Sequence, residues 1–217
     1  SPGDPTFLPD GTFLWPSDRD GWRHLYHYQA DGTLLKQVTM GNWEVRKIEH
    51  LDPESRSVLV IGTLDSHIAE TLYRVSIDDL CVDRLTTESG HHSALVAPDG
   101  KHFVDTWSNM TTPTKVALRS TIDGSLVRMI DENPVPDLDR YRFSPRELVQ
   151  IETPDGFLLE GELILPPDLD ESKMYPVWFQ TYGGPHYPTI QNSWAGGRVQ
   201  DQALASEGFI SFRVDPR

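Results

Sequence analysis

The stretch Pro98-Asp99-Gly100-Lys101-His102-Phe103-Val104, continued by Val116-Ala117-Leu118, Asp123-Gly124 and Leu126-Val127, decides the fold. It reads as a turn, a strand, a second strand, a tight turn and a third strand. Asp-Gly between apolar runs is a strong hairpin signal, because the turns that match strand twist need positive φ, which glycine adopts without a Cβ clash. The same grammar occurs twice upstream. Pro9-Asp10-Gly11 precedes Phe13-Leu14-Trp15, and Pro53-Glu54-Ser55 precedes Val58 to Ile61, so the three prolines stand 44 and 45 residues apart. Leu25-Tyr26-His27-Tyr28 runs into Asp31-Gly32 and Leu34-Leu35, while Leu72-Tyr73-Arg74-Val75 runs into Asp78-Asp79 and Leu80 to Val82. A period near 45 residues with about four short strands per unit fits a β-propeller blade, and helical repeats of that length would need a 3.6-residue periodicity that is missing here. About three blades are predicted between Ser1 and Asn133.

Beyond Asn133 the grammar changes. Asn133 to Pro145 carries three prolines, which cannot donate to a sheet ladder and suit a connector. Leu148 to Glu152 and Phe157 to Leu165 flank Pro154-Asp155-Gly156, a hairpin that Pro166-Pro167 ends. Val177 to Thr181 reads as a short, nearly continuous apolar strand. Gln200 to Glu207 reads as a helix closing at Gly208, and Phe209 to Val214 as another buried strand. Strand, helix and strand imply a right-handed parallel crossover, hence an α/β sheet. The predicted domains are residues 1–135 and 136–217.

Composition narrows the function. Nineteen Lys and Arg against 33 Asp and Glu leave a net charge of -14, which repels a phosphate backbone, so nucleic acid is not an expected partner. The single Cys81 allows neither an internal disulfide nor a thiolate metal cluster. No apolar run approaches 18 residues, so a soluble segment without a membrane span is expected.

Two stretches carry a family likeness. Ser17-Asp18-Arg19-Asp20-Gly21-Trp22-Arg23-His24-Leu25-Tyr26 and Tyr182-Gly183-Gly184-Pro185 resemble the dipeptidyl peptidase IV branch of the prolyl oligopeptidase superfamily of serine peptidases. Gly41-Asn42-Trp43-Glu44-Val45, Leu163-Ile164-Leu165-Pro166-Pro167, Tyr175-Pro176 and Asp215-Pro216-Arg217 add to the likeness in the same order. The resemblance implies a propeller, eight-bladed in this branch, capping an α/β-hydrolase domain. The expected fold class is therefore mainly β: the C-terminal part of a β-propeller at 1–135, then the truncated start of an α/β-hydrolase domain at 136–217. It implies a parent that cleaves dipeptides, with Pro or Ala before the cut, from peptide N-termini through an acyl-enzyme. An acylaminoacyl peptidase, an oligopeptidase of the same superfamily or a non-catalytic propeller module are the alternatives.

No Gly-x-Ser-x-Gly elbow occurs in the sequence, and its Asp and His partners follow the serine in chain order. The chain alone is expected to be inactive, with a peptide substrate and the remainder of the parent chain as partners. Exposed blade and sheet edges favour self-association, so a homo-oligomer is a further possibility.

Tyr182 is the candidate catalytic residue. Acyl transfer builds negative charge on a carbonyl oxygen, and a phenol O–H, normally protonated to about pH 10, is a suitable donor to aim at it. Its place beyond a parallel strand's carboxyl end is where α/β sheets put active sites. The resemblance assigns Tyr182 an oxyanion donor's role; read alone, Tyr-Gly-Gly-Pro also fits a tight turn with a packed aromatic. Gly183 and Gly184 are candidate substrate-binding positions where backbone can approach a ligand, and turn geometry explains them equally well. Trp22, Arg23 and His24 are read as a hairpin beside a packed tryptophan. His91-His92, near Asp99 and Asp105, would point to opposite faces of a strand, so no metal or cofactor is expected. Asp215 is expected to shape the loop after its strand.

Overall fold

The computed structural model describes residues 4–184 and 188–216, so Ser1, Pro185 of the Tyr-Gly-Gly-Pro stretch and Arg217 lie outside the described residues. Three sheets of four consecutive strands come first: β1 (Thr6–Phe7), β2 (Phe13–Ser17), β3 (His24–Tyr28) and β4 (Leu34–Gln37); β5 (Val45–Asp52), β6 (Ser57–Gly62), β7 (Thr71–Ser76) and β8 (Val82–Arg84); β9 (His91–Val96), β10 (His102–Ser108), β11 (Lys115–Ser120) and β12 (Leu126–Asp131). In each sheet every strand bonds to the next in sequence, the meander of a propeller blade. The Pro-Asp-Gly turns join the first and second strands: Gly11 N donates to Leu8 O at 3.0 Å, and Gly100 N to Ala97 O at 2.9 Å. The Asp31-Gly32, Asp78-Asp79 and Asp123-Gly124 turns join the third and fourth strands. In the middle blade that turn runs further than expected, because Leu80 takes the left-handed conformation at φ 61° and the strand starts only at Val82.

The blades cohere through side chains that alternate across the middle sheet. In β6, Val58 and Val60 pack into a core shared with Leu14, Leu25, Val38 and Trp43 of the preceding segment. Leu59 and Ile61, pointing the other way, pack with Leu85, Ala94 and Phe103 on the side of the third blade. A two-residue period with both faces covered explains why all six residues of β6 are buried. Each such Val, Leu or Ile contributes about 1.5–3 kcal/mol on burial. Polar clamps add direction: Arg56 reaches Asp10 of the first blade (2.9 Å) and Asp78 of its own (2.8 Å). Hydrogen bonds from Thr12, then the Arg56 guanidinium, hold the Asp10 carboxyl down at about 2.

A second kind of sheet follows. β13 (Arg146–Glu152) and β14 (Leu158–Ile164) form an antiparallel hairpin, and β15 (Val177–Thr181) and β16 (Ile210–Val214) run parallel, in the order β13-β14-β16-β15. Helix α1 (Val199–Ser206) makes the crossover between the parallel strands. Gly208, at φ 85°, turns the chain after it, with Gly208 N on Ala205 O (3.1 Å) and Phe209 N on Leu204 O (3.0 Å). A 3₁₀ helix, Pro136–Arg140, occupies the proline-rich connector.

Val177, Trp178 and Phe179 of β15 are 56%, 45% and 54% exposed in these 217 residues, where β15 stands last in the strand order. The chain forms two compact units, one running through Trp107 and including Lys115–Glu132, the other comprising Ser108–Thr114 and the residues from Asn133 onward.

Candidate active site

The parallel pair β15 and β16 is in register from Val177 with Ile210 to Thr181 with Val214, so Tyr182 and Asp215 are the first residues beyond the carboxyl ends of adjacent strands. Helix α1 is fixed to this pair by Asp201, a buried carboxylate that accepts from Gln180 Nε2 (2.6 Å), Ser211 Oγ (2.7 Å) and Arg213 NH2 (3.0 Å). One carboxylate on the helix thereby ties together β15 and β16. Tyr182 is 48% exposed, placing its phenol at the surface of the sheet end.

The two glycines after Tyr182 play different parts. A Cβ at Gly184 would run into the Tyr182 phenol and ring, so this glycine makes room for the tyrosine's own side chain. A Cβ at Gly183 would meet nothing within 4 Å. Among the described residues no close approach explains Gly183.

Residues 188–198 are held by charged side chains that are buried or half-buried. Glu162, on β14, pairs with Arg146 of β13 and lies 3.2 Å from Arg198 NH2. Arg146 NH1 also donates to the carbonyls of Ser193 (2.9 Å) and Trp194 (3.0 Å), and Arg198 NH2 to that of Thr189 (2.9 Å). Burial pushes the Arg198 guanidinium down from its ordinary value; Glu162 opposes the shift, and the neighbouring cations of Arg213 and Arg146 add to it. Ala195 and Arg198 both sit at positive φ, 47° and 54°, at a cost of about 1–2 kcal/mol each. Asp215, at the end of β16, accepts from Thr189 N (2.8 Å), Thr189 Oγ1 (2.5 Å) and Ile190 N (2.9 Å). It shapes a loop, and that loop lies 25 to 26 residues earlier in the chain.

The other sequence candidates lie in the first unit. His92 is buried with Nδ1 2.9 Å from Asp105 Oδ1 and Nε2 3.0 Å from Glu88 O, while His91 turns to Glu70 at 3.6 Å. Asp105 also accepts from Arg119 Nε (2.9 Å), completing a buried ion cluster inside one blade. Among the described residues no group of three or more His, Cys, Asp or Glu is arranged to hold a metal. Trp22 is not the packed tryptophan expected: it is 37% exposed at the β2–β3 turn, whereas Trp43 is buried with Nε1 donating to Met40 O at 2.7 Å. Arg23 pairs with Asp18 (2.9 Å), and His24 bridges Thr39 Oγ1 (3.0 Å) and Gly41 O (2.9 Å). Arg146, Glu162, Arg198 and Asp201 had no signal in the sequence, since each meets partners 9 to 48 residues away in the chain.

Residues 2–114 match the family described as Dipeptidyl peptidase IV (DPP IV) N-terminal region. The chain belongs to the dipeptidyl peptidase IV family. It is 28% identical over 182 residues to dipeptidyl peptidase 4 of Arthroderma otae, covering 82% of this chain and 24% of that protein. Dipeptidyl peptidase 4 of Trichophyton rubrum is 28% identical over 183 residues, with 82% and 24% covered. The crystal structure of Porphyromonas gingivalis dipeptidyl peptidase 4 superposes with a TM-score of 0.90 at 27% identity, covering 97% of this chain and 30% of that one. The chain thus spans about a quarter of the length of the curated dipeptidyl peptidase 4 relatives it matches. No helix among the described residues is long and apolar enough to cross a membrane.

Proposed function

We propose that this chain is part of a serine peptidase that removes dipeptides from peptide N-termini, with Pro or Ala before the cut. In this reading residues 1–135 are blades of the substrate-restricting propeller, and 136–217 are the first strands of the peptidase domain. The observation that carries it is the place of Tyr182, one residue beyond the carboxyl end of a parallel strand in a chain of this family. Ligands and reacting groups gather at such strand ends in α/β sheets.

The chemistry assigned to Tyr182 is electrostatic. When a serine oxygen adds to the scissile carbonyl, the carbonyl oxygen becomes an oxyanion, and a phenol O–H held at the strand end donates to it. The hydrogen bond strengthens as charge develops, so it stabilises the transition state more than the bound substrate. Gly184 supports this by leaving the phenol ring room above the backbone. No Gly-x-Ser-x-Gly pentapeptide occurs among these 217 residues, so the reading assigns nucleophile, base and acid to chain beyond them, and the 217 residues alone are inactive.

The test compares the chain with a protein extended to the length of its relatives, using a Gly-Pro chromogenic amide and a covalent serine-directed probe. Only the longer protein should turn over substrate and take the label. In it, Tyr182→Phe should lower kcat by about 10²- to 10³-fold. Hydrolysis by the 217 residues alone, or unchanged turnover in the Tyr182→Phe protein, would overturn the proposal.

A further inference from the structure

We infer that His92 is a doubly protonated, cationic histidine whose second proton latches the segment between the second and third blades onto the third. Both ring nitrogens face oxygens: Nδ1 lies 2.9 Å from Asp105 Oδ1, and Nε2 lies 3.0 Å from the backbone carbonyl oxygen of Glu88. That carbonyl has no hydrogen to give; it already accepts from Arg84 NH2 at 3.2 Å. Asp105 likewise plays the acceptor on its other oxygen, taking Arg119 Nε at 2.9 Å. Each nitrogen of His92 therefore has to donate, which a neutral imidazole cannot do. The ring is fully buried, so water offers neither nitrogen another partner. His24 shows the contrast. Its Nε2 also faces a carbonyl, that of Gly41 at 2.9 Å, but its Nδ1 faces the Thr39 hydroxyl, which can donate, so a neutral ring satisfies both contacts.

The four residues close a cycle across the blade. Glu88, in the connection between β8 and β9, gives its carbonyl to His92 on β9; His92 donates to Asp105 on β10; Asp105 accepts from Arg119 on β11; and Arg119 NH2 returns to the Glu88 carboxylate. With His92 cationic, two cations and two anions alternate around the cycle. With His92 neutral, one negative charge is left over where Asp105 and Arg119 are buried, a costly arrangement. The Trp107 ring lies beside His92, centroids 6.0 Å apart and planes at 31°, within reach of a cation–π contact. The adjacent His91 is the opposite case: burial pushes it down from its ordinary value, Glu70 opposes the shift, and the charges of His92 and Arg46 add to it. Removing the second proton of His92 sets a lone pair against an oxygen and opens the cycle that ties the connecting segment to three strands.

Neutron diffraction from the protein extended to the length of its relatives, in deuterated buffer at about pH 8, reads these protons directly. An ordinary histidine, with a pKa of about 6.5, carries a single ring hydrogen there. His92 should carry hydrogen or deuterium on both Nδ1 and Nε2, and His91 on one nitrogen only. A bare nitrogen on His92, with or without a proton on the Asp105 carboxylate, would overturn the inference. A second measurement counts the proton as it leaves. Unfolded by urea in weakly buffered solution at about pH 8, the protein should release about one proton more than His92→Gln does, because a histidine in the unfolded chain does not retain it. Equal release would overturn the inference too. Should His92→Gln fail to fold, Asp105→Asn replaces it, since its amide N–H₂ can donate to a neutral ring; it should release about one proton fewer than the unmodified protein, and an undiminished release would be a refutation.

Discussion

Gly32 and Gly124 occupy the same place in the repeat, each after an Asp in the turn between the third and fourth strands of a blade, and replacing each by alanine separates backbone conformation from packing. Both are left-handed, at φ 85° and 73°, so Ala at either position costs about 1 kcal/mol from the Cβ alone. At Gly32 nothing lies within 4 Å of the new methyl, and the cost ends there. At Gly124 the methyl would lie 1.7 Å from the carbonyl oxygen of Leu85 and 2.7 Å from its carbon. Leu85 cannot readily withdraw: it is buried in the core between the second and third blades, and its N–H bonds to Leu72 O at 2.9 Å. Forcing the atoms apart adds about 1–3 kcal/mol by the usual cost of overpacking, and the short backbone contact argues for the upper end, giving about 3–4 kcal/mol in total. For a chain of this size each kcal/mol lowers Tm by about 2–4 °C. Gly32→Ala should therefore melt about 2–4 °C below the unmodified protein and Gly124→Ala about 6–16 °C below, both followed by far-UV circular dichroism. Equal shifts would refute the reasoning, since both sites are left-handed and the Leu85 contact exists only at Gly124.

Other expectations are checked in the same way. Glu162→Ala leaves the buried Arg146 guanidinium and the half-buried Arg198 without their carboxylate and should destabilise by about 3 kcal/mol in urea titration, the low end for a broken buried pair because both arginines keep backbone carbonyl acceptors. The Asp10 carboxyl is held at about 2, so its contribution is complete above the ordinary carboxylate range and is lost as pH falls toward 2; Asp10→Asn should flatten the acid limb of a stability–pH profile. Burial, then the bond to Asp65, raises the Tyr73 phenol to about 12, so its contribution is complete below pH 10 and is lost between about pH 10 and 12. Tyr73→Phe should remove part of the alkaline stability loss, and an unaltered alkaline limb would argue against that assignment.

Much of the architecture was legible because turns and strands are local. The proline-led turns and the Asp-Gly and Asp-Asp turns mark hairpins through the φ preferences of a few residues, and the strands between them follow from apolar runs short enough to exclude helices. The helix before Gly208 was legible for the same reason. What escaped is what depends on neighbours far away in sequence. The pairing of β15 with β16, and not with β14, is one such feature, since an apolar run does not encode sheet order. Trp22 and Trp43 look alike in sequence, and only the packing between blades buries one and leaves the other at a turn.

The candidate site divides along the same line. The sequence by itself determined that Tyr182 follows a strand and precedes two glycines, and that Asp215 ends another strand, because those facts reside in consecutive residues. Only the tertiary structure decided that the two strands are parallel neighbours in register, that Asp215 grips Thr189 and Ile190, and that Glu162 faces two arginines beneath the same segment. The physical reason is that these hydrogen bonds and ion pairs join residues 16 to 48 positions apart, a pairing set by chain topology and by the burial it permits, neither of which any short stretch of residues contains.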